Sequence, residues 1–211
     1  MKGFAKVTQD MKDSQDNDRI AKTRIHPERT APAADAQLPP GKLKVVITYL
    51  EMSTPPRRTN RSQRAEKIAI IRAERPTTSF YRYLYNTVGA PWLWYERRVL
   101  DDSALKQIIH DPQVEIYTLY VGGVPAGYVE LDLRHKHEVE LAYFGLMPEF
   151  IGRGLGKYLM DWSVDMAWST NPNRVWVHTC NLDHPKAISV YQQAGFVPYR
   201  QETLIIDRPE L

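Results

Sequence analysis

The sequence predicts one α/β domain in which a mixed, largely antiparallel sheet carries helices on both faces. Two observations support this fold class. Short apolar, β-branched runs bounded by turn residues come first, and the C-terminal part then alternates strand, helix, strand, helix and strand. In addition, one apolar run leads through a glycine-rich turn into an amphipathic helix, and open α/β sheets bind ligands at such strand ends.

Composition narrows the class of protein. The 211 residues suit one domain of ordinary size, and 28 basic against 25 acidic side chains leave a net charge of +3, too small to indicate nucleic-acid or membrane binding. No apolar run reaches the ~20 residues of a membrane helix, and Cys180 is the single cysteine, which excludes an intramolecular disulfide. We therefore expect a soluble, cytoplasmic protein and leave open whether it forms a homodimer.

The first 41 residues differ from the rest in being polar, mixed in charge and interrupted by four prolines. Because so few apolar side chains could not offset the entropy of ordering, we expect residues 1–41 to form a disordered or arm-like extension before one domain at 42–211. The basic stretch at 57–67 contains no aromatic ring for base stacking, so we interpret it as a solvated loop rather than an RNA-binding patch.

The first half of the domain joins β-branched runs to aromatic residues at helical spacing. Thr77 to Ser79 can begin a helix that Gly89 ends, and Asp102 or Ser103 can cap a shorter one that ends near His110. In order, we predict strand 44–50, strand 68–71, which can pair with the first strand, helix 78–89, an aromatic loop at 91–95, and the short helix.

The second half alternates strands with helices. A hairpin connection at 121–125 contains two consecutive glycines, and Pro185 suits the first turn of a helix. In order, we predict strands 114–120 and 127–133, strand 139–146, helix 155–168, strand 174–181, helix 185–194 and strand 196–206.

The turn between strand 139–146 and the following helix is suited to bind phosphate. Its glycines lack a Cβ atom, so the backbone can take unusual φ and ψ angles and an anion can approach the amides. Those amides, including that of Leu155, lie at a helix N-terminus, where N–H groups lack intrahelical partners and the dipole favours negative charge. The glycines are Gly152, Gly154 and Gly156, and Arg153 and Lys157 add positive charge.

Two better-known phosphate loops do not fit this turn. A P-loop needs Ser or Thr after its lysine, whereas Tyr158 follows Lys157. A dinucleotide-binding turn needs a third glycine three residues after a Gly-x-Gly pair, and those positions hold Lys157 and Leu159. The sequence therefore indicates a diphosphate site of another type.

Two segments resemble motifs of the GNAT acetyltransferase superfamily. Residues 151–156, Ile-Gly-Arg-Gly-Leu-Gly, resemble its acyl-CoA pyrophosphate motif Gln/Arg-x-x-Gly-x-Gly/Ala, with Ile151 replacing the polar first residue. Residues 181–196 resemble its closing segment Asn-x-x-Ala-x-x-x-Tyr-x-x-x-Gly-Phe, with His184 where Asn is commonest. With the strands around them, these motifs cover roughly residues 114–206 of the chain.

The resemblance implies a GNAT-like sheet with a splayed central strand pair. It also implies an N-acetyltransferase that passes an acetyl group from acetyl-CoA to a primary amine, on a small molecule or a peptide, by direct attack in a ternary complex. Because Ile151 lacks the usual polar side chain, a catalytically weak acyl-CoA-binding sensor or scaffold is the alternative. An RNA-associated acetyltransferase using the basic stretch is a third hypothesis.

The resemblance also implies roles for particular residues. The diphosphate would lie on the turn from Gly152 to Lys157, and the thioester and pantetheine would pair with the strand end at Gly145, Leu146 and Met147. Asn181 and His184 would bond the pantetheine arm, although His184 can equally cap the helix that follows it.

The chemistry needs a base, because an alkylammonium of pKa ~10 is protonated at neutral pH. Glu140 lies eleven residues before Ile151, the separation that the resemblance to the histone-acetylating branch implies for its catalytic glutamate. A surface glutamate is the alternative, and some family members use a water chain. Tyr191 matches the tyrosine that protonates the departing thiolate.

We expect aromatic residues to line the acceptor pocket, where they could hold a cationic amine by cation–π contact. Any single ring can instead belong to the core. His135 and His137 lack a third ligand at suitable spacing, so no metal site is predicted. The predicted pocket residues are Tyr81, Tyr85, Trp92, Trp94, Tyr95 and His178.

Overall fold

The computed structural model describes residues 38–57 and 67–209. Most of the predicted extension at 1–41 and most of the basic stretch at 57–67 lie outside these ranges. The strands are β1 Lys42–Met52, β2 Ile68–Arg72, β3 Val114–Val121, β4 Val124–Asp132, β5 Glu138–Leu146, β6 Arg174–Cys180 and β7 Val197–Asp207. The α-helices in these ranges are α1 Thr78–Gly89, α2 Asp102–Ile109, α3 Leu155–Ser169 and α4 Ala187–Ala194.

The seven strands form one sheet in the order β2-β3-β4-β5-β6-β1-β7. Neighbouring strands from β2 to β5 are antiparallel, as are β1 and β6, whereas β5 and β6 run parallel. The predicted mixed, largely antiparallel sheet is confirmed.

Two apolar clusters show how the helices pack against the sheet. One joins buried side chains of α3 and α4, such as Leu159 and Tyr191, to strand residues such as Leu131 and Val175. The other joins α1 and α2 to the opposite strand positions, with Tyr81, Leu105 and Tyr128 fully buried. Burial of these side chains is the main stabilising contribution to both layers.

The described residues fall into two compact units. Residues 45–204 and 209 belong to the larger one, which contains every residue of the candidate site described below. In the smaller one, residues 38–44 and 205–208, the Lys42 ammonium lies 2.6 Å from the Asp207 carboxylate, and the Arg208 amide donates to the Gly41 carbonyl at 2.8 Å.

Local sequence signals account for the start of α1. The Thr77 hydroxyl accepts a hydrogen bond from the Phe80 amide at 3.2 Å, as an N-cap does. For α2 the cap is Asp101, whose carboxylate accepts from the Ala104 amide at 2.8 Å. The predicted Asp102 or Ser103 cap is therefore wrong, because the Asp102 carboxylate instead binds Arg82 of α1 at 3.0 Å.

Two further predictions need correction. Strand β2 pairs with β3, with Ile68 opposite Val121, rather than with β1. Strand β1 lies between β6 and β7, so neither of its edges is open to β2. Helix α4 begins at Ala187, two residues after Pro185, because the His184 carbonyl accepts from the Ala187 amide at 2.8 Å and closes a turn first.

None of the helices in the described part of the chain has the length and apolarity that a membrane span requires.

Candidate active site

The central feature of the site is the separation of β5 from β6. The two strands pair at only three positions, ending with Glu140 opposite Trp176. Strand β5 nevertheless continues to Leu146, and its other edge stays paired with β4 as far as Gly127 opposite Leu146. We call the resulting opening, between residues 141–146 of β5 and 177–180 of β6, the strand notch. It leaves backbone groups of β5 without a β6 partner within the described ranges, which suits a ligand that pairs like a strand.

The glycine turn lies directly after this end of β5. Gly152 and Gly154 have φ angles of +84° and +71°, in the left-handed region that favours glycine. Gly154 is the N-cap of α3 and no side chain caps that helix. A Cβ atom built on Gly152 would meet no atom within 4 Å, so there is open space over the turn. The turn therefore fits an anion bound to backbone amides at the start of a 15-residue helix.

The two basic side chains at the turn, Arg153 and Lys157, have different neighbours. The Arg153 guanidinium lies 5.1 Å from the Phe150 ring centroid. The Lys157 ammonium is 2.6 Å from the Asp161 carboxylate one helical turn further on, which offsets part of its charge. Ile151 presents an exposed apolar side chain at the position where the family motif is polar. The helix N-terminus, Arg153 and the partly offset Lys157 together supply the positive charge at this turn.

Two of the predicted strand-end residues, Met147 and Gly145, make close contacts with neighbouring elements. The Met147 amide donates to the Ala126 carbonyl of β4 at 2.9 Å, so it is already occupied and cannot serve the thioester. A Cβ atom on Gly145 would lie 2.3 Å from Cγ1 of Val88, so α1 packs directly on this part of β5. Gly145 and Leu146 remain in the strand notch.

Glu140 and His178 meet where the strand pairing ends. Nδ1 of His178 lies 3.0 Å from the Glu140 carboxylate, whose side chain is 7% exposed against 33% for His178. Burial lowers the pKa of His178, but the hydrogen bond and charge of Glu140 outweigh it, so the pKa lies above its ordinary value. The predicted base and the predicted pocket histidine thus form one unit.

Asp183, which the sequence did not single out, connects the aromatic loop to β6. One carboxylate oxygen accepts from Nε1 of Trp94 at 3.0 Å, and the other accepts from the Thr179 hydroxyl at 2.7 Å and the Cys180 amide at 2.9 Å. The Trp94 ring also lies 5.2 Å from that of Tyr143 on β5. Asp183 therefore fixes Trp94 beside the strand notch. The available signal was an aspartate two residues after the end of a predicted strand, a common turn position.

The predicted pocket rings separate into two groups. Tyr81 and Tyr85 are 0% and 1% exposed, so they support the second core from behind rather than line an open surface. Trp92, Trp94 and Tyr95 are half-buried in the loop after α1. The structure therefore leaves these three rings, with His178, as the accessible candidates for an acceptor pocket.

Tyr191 lies on the face of the sheet that α3 and α4 cover. Its ring packs against Phe144 of β5 and Phe196, with centroid distances of 6.4 and 6.1 Å. Burial raises its pKa well above the ordinary value, with a further contribution from the charge of Asp183, so its hydroxyl keeps its proton.

The two polar residues of the closing motif make structural contacts. The Asn181 side chain accepts from the Val46 amide at 2.8 Å, and its own amide donates to the Val46 carbonyl at 3.1 Å, which extends the β1 pairing by one residue. Nδ1 of His184 accepts from the Lys186 amide at 3.0 Å, so it caps the turn before α4. His184 does not cap the helix itself, because the N-cap of α4 is Lys186 and no side chain caps that helix end.

The remaining nucleophile and metal candidates are limited. Burial, followed by the charge of Asp183, raises the pKa of Cys180 to about 11, so the thiol form dominates at neutral pH. Among the described residues no three His, Cys, Asp or Glu side chains are grouped to hold a metal ion.

The sequence and the fold both match known proteins. Residues 76–196, more than half of the chain, match the sequence model described as "Acetyltransferase (GNAT) family". Comparison with curated proteins gave no match.

Similar solved structures share the fold at low sequence identity. A functionally unknown conserved protein from Staphylococcus epidermidis has 17% identity and a TM-score of 0.53 over 80% of this chain and 63% of that one, so the chain spans less than two thirds of its length. The ribosomal-protein-S18-alanine N-acetyltransferase from Escherichia coli has 13% identity and a TM-score of 0.52, over 68% and 96% of the two chains. An aminoglycoside acetyltransferase from an uncultured soil metagenomic sample has 13% identity and a TM-score of 0.51, over 61% and 87%.

Proposed function

The chain belongs to the GNAT acetyltransferase family, and we propose that it transfers an acetyl group from acetyl-CoA to a primary amine by direct attack in a ternary complex. The observation that carries this proposal is the separation of β5 and β6 after Glu140 and Trp176. It joins a turn suited to diphosphate with a buried carboxylate and imidazole at the closed end of the strand notch. The six residues of β5 between them span about 20 Å at ~3.3 Å per residue, a length suited to an extended pantetheine arm.

The residues present fit coenzyme A. Backbone amides at 152–156, with Arg153 and Lys157, would hold the diphosphate. Free backbone groups of β5 near Gly145 and Leu146 would pair with the pantetheine amides, and a backbone N–H there would stabilise the oxyanion. Acetyl-CoA would supply the acyl group as a thioester.

Side chains of the protein would then accept and donate the protons of the reaction. The Glu140–His178 pair takes a proton from the acceptor ammonium, so that the amine lone pair can attack the thioester carbonyl carbon. A C–N bond forms and the C–S bond breaks. Tyr191, which keeps its proton because it is buried, donates it to the departing sulfur. Since the Cys180 thiol is not ionised at neutral pH, direct transfer is favoured over an acyl-enzyme.

The surroundings of the pair favour a cationic acceptor, on a small molecule or a peptide. The rings of Tyr49 and Trp176 lie 5.9 and 6.1 Å from that of His178, and Glu96 and Asp183 add negative charge to its environment. Aromatic faces and carboxylates both attract ammonium groups.

The direct test combines binding and turnover. Thermal unfolding with excess CoA or acetyl-CoA should show a raised Tm, and thiol detection with a panel of primary amines should show CoA release that depends on the amine. Stabilisation without thiol release against any amine would support the sensor or scaffold alternative, which the exposed Ile151 motivates. The absence of both the Tm increase and the thiol release would overturn the proposal.

A further inference from the structure

We propose that His178, through Nε2, is the group that takes the proton from the acceptor amine, and that Glu140 is a positioning residue behind it. This inference rests on the proposed function and assigns the proton step within the Glu140–His178 pair. It reverses the simplest expectation from the sequence, in which the glutamate acts alone.

The first argument is access. Glu140 is the last β5 residue paired with β6, and its side chain is 7% exposed. His178 lies two residues beyond the paired position Trp176, on the β6 side of the strand notch, and its side chain is 33% exposed. An amine that enters the notch therefore meets the imidazole, whereas the carboxylate lies behind it.

The second argument is the direction of the ring. An ionised carboxylate only accepts hydrogen bonds, so Nδ1 of His178, at 3.0 Å, must carry a proton and donate it to Glu140. In the neutral ring this leaves the lone pair on Nε2, the nitrogen on the other side of the imidazole. Among the described residues Glu140 is the one hydrogen-bond partner of the His178 ring, so Nε2 is available to a ligand.

The third argument is the charge around the ring. Carboxylates that face His178 come from β5, from the turn after β6 and from the loop after α1, and the phenol of Tyr49 on β1 packs beside it. Each carboxylate stabilises the imidazolium that forms when Nε2 accepts a proton. They are Glu140, Asp183 and Glu96.

The step balances as follows. An N–H bond of the acceptor ammonium breaks, a bond from the proton to Nε2 forms, and the amine nitrogen keeps the electron pair with which it attacks. The imidazolium then releases its proton to solvent through its exposed edge. The Glu140 carboxylate accepts from Nδ1 and holds the ring in place, as a carboxylate does behind a catalytic histidine.

The experiment compares the pH dependence of kcat/KM for wild type, His178→Asn and Glu140→Gln, with acetyl-CoA and the best amine from the panel. Asn places an amide nitrogen near the position of Nδ1, so His178→Asn keeps a donor for Glu140 but has no group that takes up a proton. In Glu140→Gln the imidazole remains while its charged partner is lost.

We expect the wild-type rate to rise with pH along one limb, which reports the deprotonation of His178. His178→Asn should lose this limb and fall by about 100-fold or more. Glu140→Gln should keep the limb but move it to lower pH, because the imidazolium loses its stabilising charge. A ¹⁵N NMR titration of His178, assigned by comparison with His178→Asn, should show the same downward movement without any substrate.

Different failures are distinguishable. A limb that survives in His178→Asn at the wild-type position would overturn the assignment and return the role to Glu140 or to water, with the proposed function intact. An imidazole titration that does not respond to Glu140→Gln would also overturn it. A wild type inactive on every amine would overturn the proposed function and the assignment together.

Discussion

Gly145 of β5 lies against Val88 of α1 so closely that a Cβ atom on the glycine would be 2.3 Å from Cγ1 of the valine. The contact places α1 directly over the strand notch. The nearest atom of any other residue, in the Trp94 ring, is 3.9 Å from the same point, so the valine is the main obstacle. The glycine therefore sets how closely α1, the helix before the aromatic loop, approaches β5, the strand proposed to bind CoA.

Gly145→Ala should reduce the free energy of unfolding by about 1–3 kcal/mol, because the added methyl overpacks the α1–β5 contact. In Gly145→Ala/Val88→Ala the obstructing methyl is removed, and the double variant should lose less stability than the sum of the two single variants. Urea unfolding of all four proteins measures this coupling. Simple additivity would contradict the contact.

A second pair of variants separates anion binding from backbone strain. Gly152 and Gly123 have φ angles of +84° and +88°, and a Cβ on either would meet no atom within 4 Å. Alanine at either position should therefore cost a similar amount, about 1–2 kcal/mol. Only Gly152→Ala should weaken CoA binding. We expect a loss of about tenfold or more, and tenfold corresponds to ~1.4 kcal/mol of binding free energy. Calorimetric titration with CoA measures this. An equal loss of CoA affinity in both variants would show that the turn does not bind CoA.

The buried ion pair of Arg97 and Glu130 should be costly to break. Nη2 of Arg97 lies 2.7 Å from a Glu130 carboxylate that is fully buried. Glu130→Gln leaves the guanidinium unpaired and should cost about 3–5 kcal/mol. Adding Arg97→Met removes the unpaired charge, so the double variant should recover part of this loss in denaturant unfolding. Asp161→Asn, in the surface pair with Lys157, is the control and should cost about 1 kcal/mol or less.

Tyr191→Phe tests the proton donor. It removes only a hydroxyl from a ring packed between Phe144 and Phe196. We expect kcat to fall by about 100-fold while CoA affinity is unchanged, because the hydroxyl acts on the departing sulfur alone. Steady-state kinetics beside CoA titration measure both, with Tyr120→Phe on β3 as the control. A normal kcat would show that Tyr191 is a packing residue.

The raised pKa of His178 predicts a particular dependence of stability on pH. The folded protein binds this proton more tightly than the unfolded chain does. The resulting stabilisation is complete below the unfolded pKa of ~6.5 and is lost as the pH rises through the higher folded value. The stability of wild type relative to His178→Asn should therefore fall as the pH rises from about 6.5 through the higher folded pKa. Urea unfolding at a series of pH values checks this, and a constant difference would contradict the Glu140 contact.

The elements that the sequence predicted well are those specified by neighbouring residues. Thr77 and Gly89 bound α1 as predicted, and the Thr77 N-cap acts within one helical turn. Gly89 itself keeps right-handed helical angles and leads into the 3-10 turn Ala90–Trp92. The glycine turn and α3 likewise follow from residues 152–169 alone. The two family motifs predict that this turn and Tyr191 belong to one site.

The sequence predicted less well those features that depend on contacts between residues far apart in the chain. The position of β2 beside β3 depends on which sheet edge is open, which its own apolar pattern does not reveal. Tyr81 is an aromatic residue at helical spacing, but its burial follows from a 2.5 Å hydrogen bond to Glu130 on β4. Asp183 acquires its role only because Trp94 packs next to it.

The sequence by itself determined the order and type of nearly all elements, the glycine turn before α3 and the family. These depend on local periodicity, glycine conformation and fixed residue spacing. Only the tertiary structure decided that the two side chains of the proposed proton step lie in contact. Glu140 and His178 lie 38 residues apart on parallel strands, and they meet because β5 and β6 pair in one register and then separate. Strand register is set by pairing and packing across the whole sheet, so no local pattern in either strand specifies it.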